Sequence, residues 1–182
     1  MTHDFYQDRF GIDFLNQSSQ LFMNELIDKY TTSVITHKYG FISYADQEED
    51  VVKSFREFAN IRLEYGRGIS IWDKDKLEPG ENIETATADN LQKATIYIPF
   101  ISSKFLNDAA LVKEMQMMIA RNDVLIFPII ARVCLWKNVF KTLESSSAAI
   151  LPGKDNVLIS SSKQPAEEDY LKMIKIINSK IR

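Results

Sequence analysis

The sequence predicts an α/β fold built on a parallel β-sheet, and three observations carry that prediction. Short apolar and aromatic runs alternate with longer segments whose apolar residues recur at helical spacing. The runs are close to continuous in apolar side chains, as strands covered on both faces are. The segments between them are long enough to hold a crossover helix, which neighbouring parallel strands require.

Taken in order, the first strand is "KYGFISY", residues 38–44. The segment "DQEEDVVKSFREFANIRLEY" follows, with Val51, Val52, Phe55, Phe58 and Leu63 on one helical stripe. Asp46 and Glu49 have the spacing of an N-terminal capping pair, with Asp in the place of Ser or Thr. "GISIWD" is the second strand and "NIETATADNLQKA" the second helix. "TIYIPFI" is the third strand, and "SKFLNDAALVKEMQMMIARN" a third helix that Ser102 or Ser103 can cap. "VLIFPIIA" is the fourth strand, "VCLWKNVFKTLESS" is irregular or a short helix, and "NVLIS" is a short fifth strand. A closing helix, "AEEDYLKMIKIINSKI", starts after Pro165. Right-handed crossovers then place helices on both faces of the sheet. Five strands in such a sheet suggest, by analogy, a flavodoxin-like three-layer sandwich with strand order 2-1-3-4-5.

Residues 1–36 stand apart as an N-terminal helical extension, leaving 37–182 as the α/β domain. Within the extension, "DFLNQSSQLFMNELIDKYTTS" has Leu15, Phe22 and Leu26 at helical spacing. This amphipathic helix either folds back on the domain or meets a partner.

Bulk properties narrow the function classes. The chain has 182 residues, 45% hydrophobic and 26% charged, ordinary values for a globular protein. A net charge of −3 gives no nucleic-acid footprint. One cysteine, Cys134, excludes an internal disulfide framework and fits a reducing cytosol. His3, His37 and Cys134 lack metal-ligand spacing. No apolar run approaches the ~20 residues of a membrane span, and the first residues lack a signal-peptide pattern. The expectation is a soluble cytoplasmic protein with neither nucleic acid nor membrane as partner.

Ligands of such sheets bind beyond the carboxyl ends of the strands, where strand order reverses. That point lies between strands one and three, so Ser43, Tyr44, Ala45, Asp46, Ser102 and Ser103 are expected around a crevice. Glu114 lies on the helix leaving strand three, beside Met115, Met117 and Met118, and shares a face with Asn107 and Ala110. The sequence has no GxGxxG after strand one, no P-loop and no nucleophile elbow.

Three stretches in this order, "FISYADQEED", "IWDKDKLEPGE" and "FISSKFLNDAALVKEM", make residues 38–182 resemble a TIR (Toll/interleukin receptor) domain of the bacterial type. "FISY" resembles the family's first box. "DKDKLEPGE" resembles its BB loop, here Lys76, Leu77, Glu78, Pro79 and Gly80, with Pro79-Gly80 as the turn. "ISSKFL…KE" resembles the segment carrying the catalytic glutamate of NAD-cleaving TIR enzymes, which puts that role on Glu114. The sequence departs from the pattern in having Ala110 and Leu111 where many members have Trp and Cys, which removes a stacking surface.

The resemblance implies an NAD+ glycohydrolase releasing nicotinamide and ADP-ribose, linear or cyclised, with NAD+ as substrate and no cofactor or metal. It further implies activity on self-assembly through TIR–TIR contacts, in a bacterial defence or signalling setting, with a separate sensor or activator protein as a possible partner. The substrate-binding candidates are Phe41, Ser43, Tyr44, Ala45, Asp46, Trp72, Asp75, Ser102, Asn107 and Ala110. Trp72 would bound the crevice or simply pack in the core. Asp73 and Asp75 would solvate a loop or contact ribose. Two other functions stay open: a non-enzymatic TIR–TIR scaffold, and a different nucleotide-binding flavodoxin-like domain.

Overall fold

In the computed structural model the described residues are 38–145, 149–153, 156–160 and 163–181. The N-terminal extension, with its expected helix, lies outside them. At the centre of the sheet is β1 (Tyr39–Tyr44), parallel to β2 (Ser70–Trp72) on one side and to β3 (Ile96–Ile101) on the other. Phe41 is level with Trp72 across one pairing and with Tyr97 across the other. All six residues of β3 are buried, which explains its uninterrupted apolar sequence.

Period-two alternation shares the strand side chains between two cores. Ile42, Ile98 and Phe100 enter one core, and Phe41, Tyr97 and Ile101 enter the other. The first core is closed by α1 (Glu49–Ala59), which contributes Val52, Phe55 and Ala59 at helical spacing. The helical path then widens into a π turn at Asn60–Glu64 and ends at Gly68, whose φ of +66° is left-handed and suits a residue without Cβ. The second core is closed by α2 (Ile83–Lys93), α3 (Ser103–Asn107) and α4 (Ala109–Ala120), through Leu91, Phe105, Met115 and Met118. Each large apolar side chain buried in these cores contributes about 1.5–3 kcal/mol.

The expected fourth strand is interrupted. Its two halves, β4 (Leu125–Ile126) and β5 (Ile129–Ile130), both pair with β3 in one continuous register, which sets Pro128 opposite Pro99. Neither proline has an N–H for the ladder, so the pairing lapses there. The sheet is five-stranded and parallel, with the order β2-β1-β3-β4 and β5 also on β3.

The expected fifth strand, "NVLIS", is reduced to isolated bridges. Leu158 N donates to Ile130 O and Ile159 N to Ala131 O, both at 2.8 Å. Leu151 occupies the neighbouring stretch of the same edge, donating to Pro128 O and accepting from Ile130 N, so "NVLIS" has little edge left to pair with. Next come α5 (Trp136–Val139), α6 (Lys141–Ser145) and α7 (Glu167–Lys180). The α7 helix packs on α1, where Tyr170 stacks on Phe58 with ring centres 5.8 Å apart. Helices thus cover both faces of the sheet, the flavodoxin-like three-layer arrangement. Among the described residues no helix is long and apolar enough to cross a membrane.

The Asp46–Glu49 capping pair does not form. A 3₁₀ turn (Asp46–Glu48) precedes α1, and Ala45 occupies its cap position without a side-chain bond. The Asp46 carboxylate pairs instead with Lys74 from the loop after β2, a full charge that the helix amides do not match. Glu48, wholly buried, accepts from Arg132 Nε at 3.1 Å through both oxygens.

Candidate active site

Beyond the carboxyl ends of β1, β2 and β3 opens a cleft of about 1530 Å³, lined by strand ends, by α2 and by α4. It exceeds the roughly 300–1000 Å³ of ordinary small-ligand pockets. At its base runs an aromatic row set by strand register, in which Trp72 and Phe41 line the cleft and Tyr97 is buried beside Phe41. Trp72, Phe41 and Tyr97 lie side by side, with ring centres 5.0 Å apart for Trp72–Phe41 and 6.1 Å apart for Phe41–Tyr97.

Glu114 reaches this row because of where α4 begins. Asp108 breaks the expected third helix in two. Its side chain caps α4, accepting from Ala110 N at 2.9 Å and from Leu111 N at 3.2 Å. Glu114 then lies in the second turn of α4 and points inward, where Tyr97 Oη donates to its Oε1 at 2.7 Å. Burial pushes the Glu114 carboxyl above its ordinary pKa, and the charge of Asp108 adds to this, while the hydroxyls of Ser43 and Tyr97 oppose it. Burial, reinforced by Glu114, likewise raises the Tyr97 phenol well above its usual value. Ser43 Oγ is buried nearby and completes no hydrogen bond of its own. Among the described residues Glu114 forms no ion pair.

The cleft brings together Phe41, Ser43, Tyr44, Ala45, Asp46, Trp72, Ala110 and Glu114 from the expected set. Trp72 combines both expected roles, being 8% exposed yet on the cleft wall. Four expected residues are not in it, among them Ser103, which is exposed as the first residue of α3. Ser102 is wholly buried and caps α3, accepting from Phe105 N at 3.3 Å. Asn107 is exposed at the end of α3, because the break at Asp108 removes it from the helical face of Glu114. Asp75 is held outside by Arg56 Nη2 at 2.6 Å and by the Tyr44 hydroxyl at 2.9 Å. Burial raises the Asp75 pKa, and these two donors outweigh it, so the net shift is downward.

The expectation that Asp73 solvates a loop is also overturned. Asp73 is fully buried and takes both carboxylate bonds from Arg56 Nη1, at 2.8 and 3.0 Å. Lys76 to Gly80 do not line the cleft. Lys76 Nζ reaches Glu64 at 3.1 Å, and Leu77 packs against the second core. Glu78 to Glu81 form a turn closed by Glu81 N to Glu78 O at 3.1 Å, with Gly80 at φ +93° as a type II turn requires.

Of the three methionines, Met115 and Met118 are core residues, whereas Met117 is 53% exposed and lines the cleft. Sequence reasoning missed Tyr97. The signal was a phenol in an otherwise apolar buried strand, where its hydroxyl needs a partner. It also missed four cations along the cleft, Lys74, Lys104, Lys113 and Arg121.

A family profile for the TIR domain matches residues 41–156, more than half of the chain and all of the cleft. Among solved structures, the chain is similar to the TIR domain of the Toll-related receptor TRR-2 from the lower metazoan Hydra magnipapillata. Identity is 20% and the TM-score 0.48, over 62% of this chain and 82% of that one. No curated protein matches the chain. With the family profile spanning the sheet, the cleft and Glu114, the chain belongs to the TIR domain family.

Proposed function

We propose that the chain is an NAD+ glycohydrolase with Glu114 as its acting carboxylate. One observation carries the reading. Glu114 is a partly buried carboxyl facing the cleft, held by a neutral phenol and, among the described residues, by no cation. An acid kept for stability alone is cheaper to bury with a counter-charge. An acid kept for positive charge that develops on a substrate must leave that place open.

The C1′–N bond of the nicotinamide riboside unit breaks, and its electron pair leaves with the ring nitrogen, so nicotinamide departs neutral. The positive charge moves to the C1′–O4′ oxocarbenium, which the carboxylate stabilises. Water adds at C1′ and loses a proton, giving ADP-ribose; attack by an adenine nitrogen in place of water gives the cyclic product. Lys74, Lys104, Lys113 and Arg121 along the cleft complement the two phosphates. Phe41, Trp72 and Met117 offer apolar surface to the bases. TIR domains self-associate, and activity is expected to rise with assembly.

The test is nicotinamide release by the purified full chain over a concentration series, with Glu114→Ala alongside. Release by the wild type alone, rising faster than linearly with protein, is the expected result. Equal release by both proteins overturns the role of Glu114. No release at any concentration favours a scaffold. One surface feature supports that second reading: Val133, Leu135 and Val139 are 75%, 73% and 41% exposed on a single short segment.

A further inference from the structure

We infer that Tyr97 is a positioning residue for Glu114, its phenol holding one carboxylate oxygen so that the other faces the cleft. The inference rests on Glu114 being the acting carboxylate. Tyr97 is itself fully buried, so it acts only through its neighbour. Its hydroxyl donates to Oε1 at 2.7 Å, a short contact of the charge-assisted kind. The ring cannot swing away. It stands on β3, which is paired on both edges, and it stacks on Phe41.

A glutamate side chain has three rotatable bonds, and ordering them costs entropy that something must offset. For Glu114 no cation among the described residues does so. The charged groups facing the cleft are Asp46, Lys74, Glu84, Lys104, Asp108, Lys113 and Arg121. Of these, Asp108 is the one whose charge bears on Glu114, and it repels. Ser43 Oγ lies close but completes no hydrogen bond. Among the described residues, the phenol is the one side chain in a formed hydrogen bond with the carboxyl. It takes up Oε1, and among the described residues Oε2 accepts no hydrogen bond, which leaves it for a ligand.

Tyr97→Phe keeps the ring and removes only the donor. The first measurement is an NMR titration of the ¹³C-labelled glutamate carboxyls in the full chain, with the Glu114 signal assigned through Glu114→Gln. The midpoint is expected to move upward in Tyr97→Phe, because burial remains and an opposing hydroxyl is lost; an unmoved midpoint overturns the inference. In the wild type, the Tyr97 ¹³Cζ shift is expected to track that same midpoint, and failure to track it overturns the inference even if the variant does not fold. Where the wild type releases nicotinamide, Tyr97→Phe is expected to lower kcat about tenfold or more with little change in KM. The pH–rate profile should move upward in parallel. Reduced stability with unchanged kcat and titration would mean that Tyr97 only fills the core. If the wild type releases no nicotinamide, the enzymatic reading fails, while the two titrations still decide the contact.

Discussion

Two acids near the carboxyl end of the sheet, Asp73 buried and Glu114 partly buried, are handled in opposite ways. Asp73, at the end of β2, lies against Arg56, which meets both of its oxygens. Arg56 also holds Asp75, so one guanidinium ties α1 to the loop after β2. Glu114, across the sheet end, has a phenol and a nearby serine. Burial raises the pKa of both acids, but only Asp73 has a cation pulling it back. The difference separates structure from chemistry. A charge that is matched internally serves the fold, and a charge left unmatched beside a cleft is available to a ligand.

The largest expected effect comes from breaking the matched pair. Arg56→Ala leaves Asp73 buried without a counter-charge and frees Asp75. We expect a loss of about 3–5 kcal/mol in denaturant unfolding. A loss below about 1 kcal/mol would mean that water reaches Asp73 and that the contrast is weaker than the geometry suggests.

Glu114→Gln should do the opposite to stability. The carboxyl has a raised pKa in the fold, so its contribution is intact in acid and is lost as pH rises through that pKa. Glutamine escapes that loss and can still accept from Tyr97. The variant should therefore unfold at higher denaturant than the wild type at pH 7, and the two should converge below about pH 4. Lower stability of the variant at pH 7 would show that the ionised carboxylate stabilises the fold and would remove the distinction from Asp73.

The smallest effect belongs to Asp75→Asn. Asp75 has a lowered pKa, so its contribution is present above the ordinary aspartate pKa and is lost as pH falls through the depressed value. Its side chain is 27% exposed, which screens the pairing. We expect a loss below about 1 kcal/mol at pH 7 that fades in acid, read from urea melts at several pH values. A pH-independent loss would assign the effect to packing.

How much of this was legible in the sequence follows from the range of each interaction. The buried strands could be read because covering both faces forces apolar residues at consecutive positions. The Pro79-Gly80 turn could be read because only certain residues suit its backbone angles. Glu114 could be located because its place relative to three ordered motifs is a property of the chain. The Ser102 cap was foreseen, but not its consequence: a side chain spent on Phe105 N is withdrawn from the cleft.

The sequence by itself determined the alternation of strands and helices, the family, and the place of Glu114 in the motif order. These rest on periodicity, local backbone preference and motif order, all of which act over short stretches or along the chain. Only the tertiary structure decided which acids are neutralised. Asp73 and Arg56 are 17 positions apart, as are Tyr97 and Glu114, and no local rule links either pair. The same holds for the break in the fourth strand, where Pro128 alone foretells little and Pro99 opposite it completes the gap. Charge pairing, hydrogen bonding and ladder continuity depend on which strands lie side by side, and packing of the whole chain sets that.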